Sequence, residues 1–108
     1  MKATLVSALC AALLAAAGQR AANPYQGNPE AVRAGTKLYA HHCAQCHGPG
    51  AEGYGGAPSL RSVTVEAAAP EALFEILTNG VMRRGMPSWA HLPSQQRWQI
   101  VTYLRSLK

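Results

Sequence analysis

Cysteine is scarce in this chain: three in 108 residues, at Cys10, Cys43 and Cys46. A four-cysteine zinc site is excluded, since it needs a second pair. Aromatic side chains are 6% of the whole and charged ones 14%. The basic residues are scattered, and no Arg/Lys run is interleaved with aromatics. That removes the usual footprint of a nucleic-acid binder. No strand pattern is convincing. No repeat recurs, and no nucleophile, base and orienting group form a set. The apolar run at the N-terminus is shorter than the roughly 20 residues of a spanning helix.

What is present starts with that run. Met1-Lys2 gives a short positive start, and Ala3 to Ala17 are apolar apart from Thr4 and Ser7. Ala15-Ala16-Ala17 fits a small-residue cleavage signal ahead of Gly18, so residues 1–17 read as a secretory signal peptide. A membrane anchor is the rival reading, and the shortness of the run argues against it. Cleavage as late as Ala22 would put Arg20 three residues before the cut, a poor fit. Cys10 leaves with the signal; Leu9 before it does not suit a lipoprotein cysteine. The remaining 91 residues keep only Cys43 and Cys46. So small a domain buries too little surface to be secure alone and leans on a cofactor, metal or cross-link.

The whole chain carries +5, and losing Lys2 leaves nine basic and five acidic residues, a balance of +4. Nucleic acid is not expected outside the cytoplasm, and no membrane span remains once the signal is removed. A partner with an acidic docking face suits the charge.

Residues 18–28 read as a loose lead. Asn28, Pro29 and Glu30 form a helix start, and the helix should run to about His42, with Val32, Gly35, Leu38 and Tyr39 on one side. Gly35 is costly there, by about 1 kcal/mol against Ala, unless another backbone comes close. Residues 48–62 are rich in Gly and Pro and read as loop. A second helix starts near Pro70, shows Leu73, Phe74, Ile76 and Leu77 as its apolar face, and stops at Asn79-Gly80. Residues 81–93 look irregular. The last helix begins near Ser94 as its cap, with Trp98, Val101, Tyr103, Leu104 and Leu107 in helical period and Ile100 beside them. Loops this long in a compact domain are uncommon unless functional. The apolar inventory is thin, so a large apolar component is expected from outside the chain.

The stretch Tyr39 to Gly53 supplies it. Cys43, Cys46 and His47 form C-x-x-C-H, the attachment signature of c-type haem. Thiols at i and i+3 reach two neighbouring vinyl groups on one porphyrin edge, and the next residue puts its imidazole under the iron. A thioredoxin-like pair needs a βαβ context that is missing here. A Cys2His2 zinc site needs two spaced histidines downstream, and only His91 follows His47. A plain disulfide between cysteines this close is a poor staple.

With Gly35 and Tyr39 ahead of "CAQCHG", then "APSL" (57–60), "RGMPSW" (84–89) and "IVTYLRSL" (100–107), the sequence resembles the class I cytochromes c over nearly all of the mature chain. The resemblance implies an all-α domain at 29–108, the cytochrome c fold, with three main helices and Gly/Pro-rich loops around one covalent haem c. It implies that Gly35 and Tyr39 meet Ile100 and Tyr103 where the terminal helices cross. It implies His47 and a loop methionine as the iron's two axial ligands. Met86, followed by Pro87, is favoured over Met82, which is expected to pack. A bis-histidine site through His41, His42 or His91 is the remaining alternative. His41 and His42 otherwise read as surface residues and His91 as a rim residue. The resemblance also maps Pro58 as the acceptor for the other His47 ring nitrogen. Arg84 and Trp89 come first among candidates for the haem propionates, ahead of Arg61, Arg83 and Tyr54.

His/Met ligation raises a haem's reduction potential, and filled axial positions suit electron passage rather than catalysis. The expected function is a periplasmic one-electron carrier, not an enzyme, acting as a monomer or as a small subunit of a complex. Its partners would be dehydrogenases, cytochrome complexes or terminal oxidases. A dedicated acceptor for a periplasmic dehydrogenase is the alternative. A haem sensor or peroxidase with a labile sixth ligand is a third reading.

Overall fold

The computed structural model describes residues 23–107. The signal peptide expected at 1–17, the lead up to residue 22 and Lys108 lie outside the described residues. Five α-helices follow in order: α1 Pro29–His42, α2 Ala44–His47, α3 Val63–Ala67, α4 Pro70–Asn79 and α5 Ser94–Ser106. A short 3-10 turn, Met82–Arg84, precedes the last one. The described residues contain no strand, only isolated bridges at Tyr54–Ala57 and Val81–Met86.

Helix α1 starts as its sequence dictates. The Asn28 side chain accepts from the amides of Glu30 and Ala31, and Pro29 opens the first turn, satisfying donors that have no intrahelical partner. The buried residues of α1 are Ala31, Gly35 and Tyr39, so Ala31 rather than Val32 joins Gly35 and Tyr39 inside. Helix α5 buries Ile100, Val101, Thr102 and Leu104. Ile100 is therefore central to that face, not a flank. Pro93 holds the cap position and Ser94 is the first helical residue, one step from the expected cap.

Helices α1 and α5 form the principal packing. A Cβ added to Gly35 would collide with the carbonyl of Gln99 and lie 2.8 Å from Tyr103 Cβ. The glycine lets the two helices approach closely. The Tyr39 and Tyr103 rings follow, 5.1 Å apart and tilted by 40°. The expected partner Tyr103 is present, while Gln99 rather than Ile100 meets Gly35. Asn23, ahead of α1, is buried and donates its side-chain amide to Thr102 at 2.9 Å, which ties the end of the lead to α5. Helix α4 packs against α5 and buries Leu73 and Leu77. Ile76 does not join them; it is exposed.

Candidate functional site

The C-x-x-C-H motif sits where α1 ends. Cys43 breaks the helix and donates its amide to the Tyr39 carbonyl at 2.8 Å. Ala44 to His47 then make one more turn, α2, with Gly48 after it. Cys43 is buried in the core cluster and Cys46 is exposed, and both are free thiols. Burial, with Cys46 nearby, pushes the Cys43 thiol up to about 11. Dithiol redox pairs work through a lowered pKa. The shift has the opposite sign here and argues against a dithiol redox pair.

His47 is oriented by the loop that leaves it. Its Nδ1 lies 2.9 Å from the Pro58 carbonyl. A carbonyl only accepts, so Nδ1 carries the proton and Nε2 keeps its lone pair for a metal. The loop is shaped to deliver Pro58. Gly53 donates its amide to the His47 carbonyl at 2.7 Å, and Leu60 donates to Ala51 at 2.8 Å. Gly53 has φ +78°, and a Cβ there would lie 2.6 Å from the Ser59 amide nitrogen and 2.7 Å from the Pro58 carbonyl carbon. Glycine is required where the loop folds back on itself. Tyr39 hydroxyl donates to the Gly48 carbonyl at 2.6 Å, and Tyr54 hydroxyl to the Gln45 carbonyl at 2.7 Å. Arg61 Nε donates to the Gly50 carbonyl. The loop is thus stitched to α1 and α2.

Met86 is presented by a tight hairpin. Val81 and Met86 exchange backbone hydrogen bonds of 2.9 and 3.1 Å, and left-handed Gly85 closes the turn between them. The hairpin rests on the end of α4: Gly80 has φ +69°, and a Cβ on it would lie 2.7 Å from the Met86 carbonyl oxygen. Ser88 hydroxyl donates to the Thr78 carbonyl at 2.6 Å, and the Trp89 amide donates to the Leu77 carbonyl at 2.8 Å. Met86 is half-buried against the core cluster. Met82 is 71% exposed, which corrects the expectation that it packs. Its place at the outer tip of the turn gives it nothing to pack on.

Other expected residues are placed as follows. Arg83 and Arg84 lie exposed in the 3-10 turn. Trp89 is half-buried, with its ring 5.0 Å from that of His42 and 5.5 Å from that of His91. His41 meets His42 edge-on at 4.6 Å. Sequence reading took these histidines one at a time and missed the cluster, because nothing in their spacing announces that residues 41–42 and 91 converge on Trp89. His42 is half-buried, not a surface residue. Burial, then the neighbouring His41 and His91, hold its pKa below the ordinary imidazole value.

The donor set fits a covalent haem. There are two free thiols three apart, an imidazole with its outer nitrogen protonated, and a half-buried thioether. Leu60, Phe74, Met86, Trp89 and Trp98 pack against the core yet stay only half-covered. Large apolar side chains left this way suit contact with a large apolar group.

An all-helical domain with this attachment turn and this loop-tied histidine is a class I c-type cytochrome, with haem c held through Cys43 and Cys46. Comparison with known proteins gives the particular family. Residues 30–104 match the family described as cytochrome c oxidase, cbb3-type, subunit III, and the chain belongs to it. Cytochrome c550 of Pseudomonas aeruginosa is 39% identical over 88 residues, covering 78% of this chain and 61% of that protein. Quinohemoprotein alcohol dehydrogenase ADH-IIG of Pseudomonas putida is 40% identical over 74 residues, which are 68% of this chain and 10% of that protein. Among solved structures, cytochrome CL of Methylophaga aminisulfidivorans superposes with a TM-score of 0.67 at 31% identity, covering 77% of this chain and 57% of that one. The chain thus spans less than two thirds of the length of these relatives. Among the described residues no helix is long and apolar enough to cross a membrane.

Proposed function

We propose that this chain is a one-electron carrier whose haem iron is ligated by His47 and Met86. The observation that carries the reading is the His47 Nδ1–Pro58 contact of 2.9 Å, which leaves Nε2 as the one ring atom able to bind iron. Met86 supports it: its hairpin is pinned to α4 while the competing Met82 faces solvent. Haem supplies a centre that holds one electron in its reduced form. The chain's own residues hold the imidazole in one tautomer and keep a soft sulfur donor beside the core. Held by His47 and Met86 together, the haem iron would pass one electron with little rearrangement and would stay closed to oxygen chemistry. That makes the chain a carrier rather than a catalyst. Exposed Arg84 is the candidate for the haem propionates, with Trp89 as a shielding ring. We also assign residues 1–17 to export and the mature chain, 18–108, to the periplasm. The mass of the exported protein reads both its N-terminus and the added haem.

Replacing the ligand tests the assignment. Met86→Ala should leave haem covalently attached, abolish the weak methionine–iron charge-transfer band of the oxidised form, lower the reduction potential and admit carbon monoxide to the reduced iron. An unchanged spectrum would show that another residue is the ligand.

A second reading, a dedicated acceptor for a periplasmic dehydrogenase, is favoured by the quinohemoprotein match. This chain aligns with only 10% of the length of that enzyme, which suits a cytochrome module. Co-purification with a dehydrogenase through moderate salt would favour it; elution alone as a small protein would favour the diffusible carrier.

A further inference from the structure

Arg97 on α5 has no part in the site described above, yet it reaches both ends of the loop that presents Met86. Its Nε donates to the Leu92 carbonyl at 3.2 Å, and its Nη1 donates to the Thr78 hydroxyl. Thr78 stands in the last turn of α4, and Leu92 ends the loop just before Pro93 opens α5. Residues 79–91 are thus bracketed by one guanidinium, with Met86 between the two anchor points. The group is fixed in turn: it lies over the Phe74 ring, 4.8 Å from its centroid, and Phe74 stacks on Trp98 at 4.2 Å. We propose that Arg97 is the positioning residue for the iron's second axial ligand. Its two hydrogen bonds close the loop around Met86 and keep the thioether from giving way to an outside ligand.

Three observations carry the proposal, which rests on the assignment of Met86 as ligand. The first is the shape of the donor. A guanidinium is planar and offers its N–H groups in a fixed fork, so it serves two acceptors at once where an ammonium is a single point charge. The second is that Thr78 relays the contact into the loop. Its hydroxyl accepts from Arg97 and donates to the Phe74 carbonyl at 2.8 Å, while its own carbonyl accepts from the Ser88 hydroxyl at 2.6 Å. Ser88 is two residues from Met86, and its oxygen also accepts from the Ala90 amide at 3.2 Å. The third is burial. Arg97, Thr78 and Ser88 are all half-buried, where a hydrogen bond is stronger than in open water. Fixing both ends of a loop removes freedom that it would otherwise regain on letting go of the iron. The clasp therefore adds to the cost of moving Met86 away, although none of its hydrogen bonds goes to Met86 itself.

The test uses the oxidised haem-loaded protein and imidazole as probe. An imidazole nitrogen takes the place of the thioether on Fe(III): the iron–sulfur bond breaks, an iron–nitrogen bond forms, and no electron moves. Titration is followed by loss of the methionine–iron charge-transfer band, and the mass of each variant checks that haem is attached. Arg97→Gln should bind imidazole roughly tenfold more tightly than the parent, the effect of one hydrogen bond to a charged group at the low end of its range. Thr78→Val should tighten binding by less, and Thr78→Ser, which keeps the hydroxyl, should match the parent. In the Met86→Ala background, where no thioether is displaced, Arg97→Gln should leave imidazole affinity unchanged, read from the main haem absorption band. Gly35→Ala, which strains the α1–α5 crossing instead, should lower the melting temperature without tightening imidazole. Parent-like affinity in Arg97→Gln overturns the proposal, as does equal tightening in the Met86→Ala background or in Gly35→Ala. Where Arg97→Gln yields no haem protein, Thr78→Val against Thr78→Ser decides, and equal affinities overturn the proposal. A Met86→Ala protein with an unchanged spectrum overturns the ligand assignment itself, and the clasp with it.

Discussion

At the α1–α5 crossing, Tyr39, Ile100 and Val101 expose 1%, 1% and 0% of their surface. Between residues 60 and 89, by contrast, Leu60, Phe74, Met86 and Trp89 stay half-buried, and hydrogen bonds from loop backbone and side chains hold the chain in place. The crossing closes on contacts the chain supplies itself. The loop region is shaped by the chain but leaves its apolar faces for the haem to cover. The two regions thus differ in kind: the first fixes the frame, and the second leaves apolar side chains half-covered beyond the attachment turn at Cys43 to His47.

The largest expected effect breaks the dependence of the second region on haem. Changing Cys43 and Cys46 together to Ala should abolish covalent haem, read as the loss of its mass, and should disorder the loop region, read as collapse of amide signals from residues 48–62 and 81–93. Signals from α1 and α5 should outlast them. If the loop signals persist unchanged without haem, the division between the regions is wrong.

Next is the crossing itself. Gly35→Ala adds the one atom that would strike Gln99 and Tyr103. In an open helix this change would gain about 1 kcal/mol. Here overpacking should reverse the sign and cost roughly 1–3 kcal/mol, seen as a lower melting temperature of the haem protein. A stabilised variant would mean the helices can part more easily than the close approach implies.

A smaller effect probes the seam between the regions. Tyr39→Phe removes the hydroxyl that donates to the Gly48 carbonyl and should cost roughly 1–2 kcal/mol. Burial, with Tyr103 next, raises the Tyr39 pKa from 10.0 to about 12. The folded form therefore holds its proton more tightly than the unfolded chain. This contribution is complete below about pH 10 and is lost as pH rises toward 12. Alkaline denaturation should begin with a component that the Phe variant lacks.

The same division explains what could be read from sequence. Asn28-Pro29, Asn79-Gly80 and the period of α5 are local signals, and all three main helices lie where those signals put them. The C-x-x-C-H turn is local too, and Pro58 follows from the family resemblance. Helix α3 was missed because Val63, Thr64 and Val65 are β-branched and disfavour a helix. It is held by the Ser62 hydroxyl at its start and, at its end, by Arg105, which donates to the carbonyls of Val65, Glu66 and Ala68. Arg105 is about 40 residues away, and sequence spacing carries no sign of it. The cluster of His41, His42 and His91 was hidden for the same reason, since only the folded loop brings Trp89 to the end of α1.

The smallest expected effect sharpens the comparison inside one hairpin. Met82 and Met86 share a turn of six residues, yet one faces water and the other the core. Met82→Leu should shift stability by less than about 0.5 kcal/mol and leave both the methionine–iron band and the reduction potential as they are. The backbone explains why. The Val81–Met86 bridge fixes which side of the turn each residue occupies, and Gly85 in the left-handed region (φ 88°) closes it. For Met82 to reach the core, the hairpin would have to give up the bonds between Val81 and Met86. Loss of the band in Met82→Leu, with Met86→Ala spectrally silent, would exchange their roles and place the hairpin the other way up against the haem.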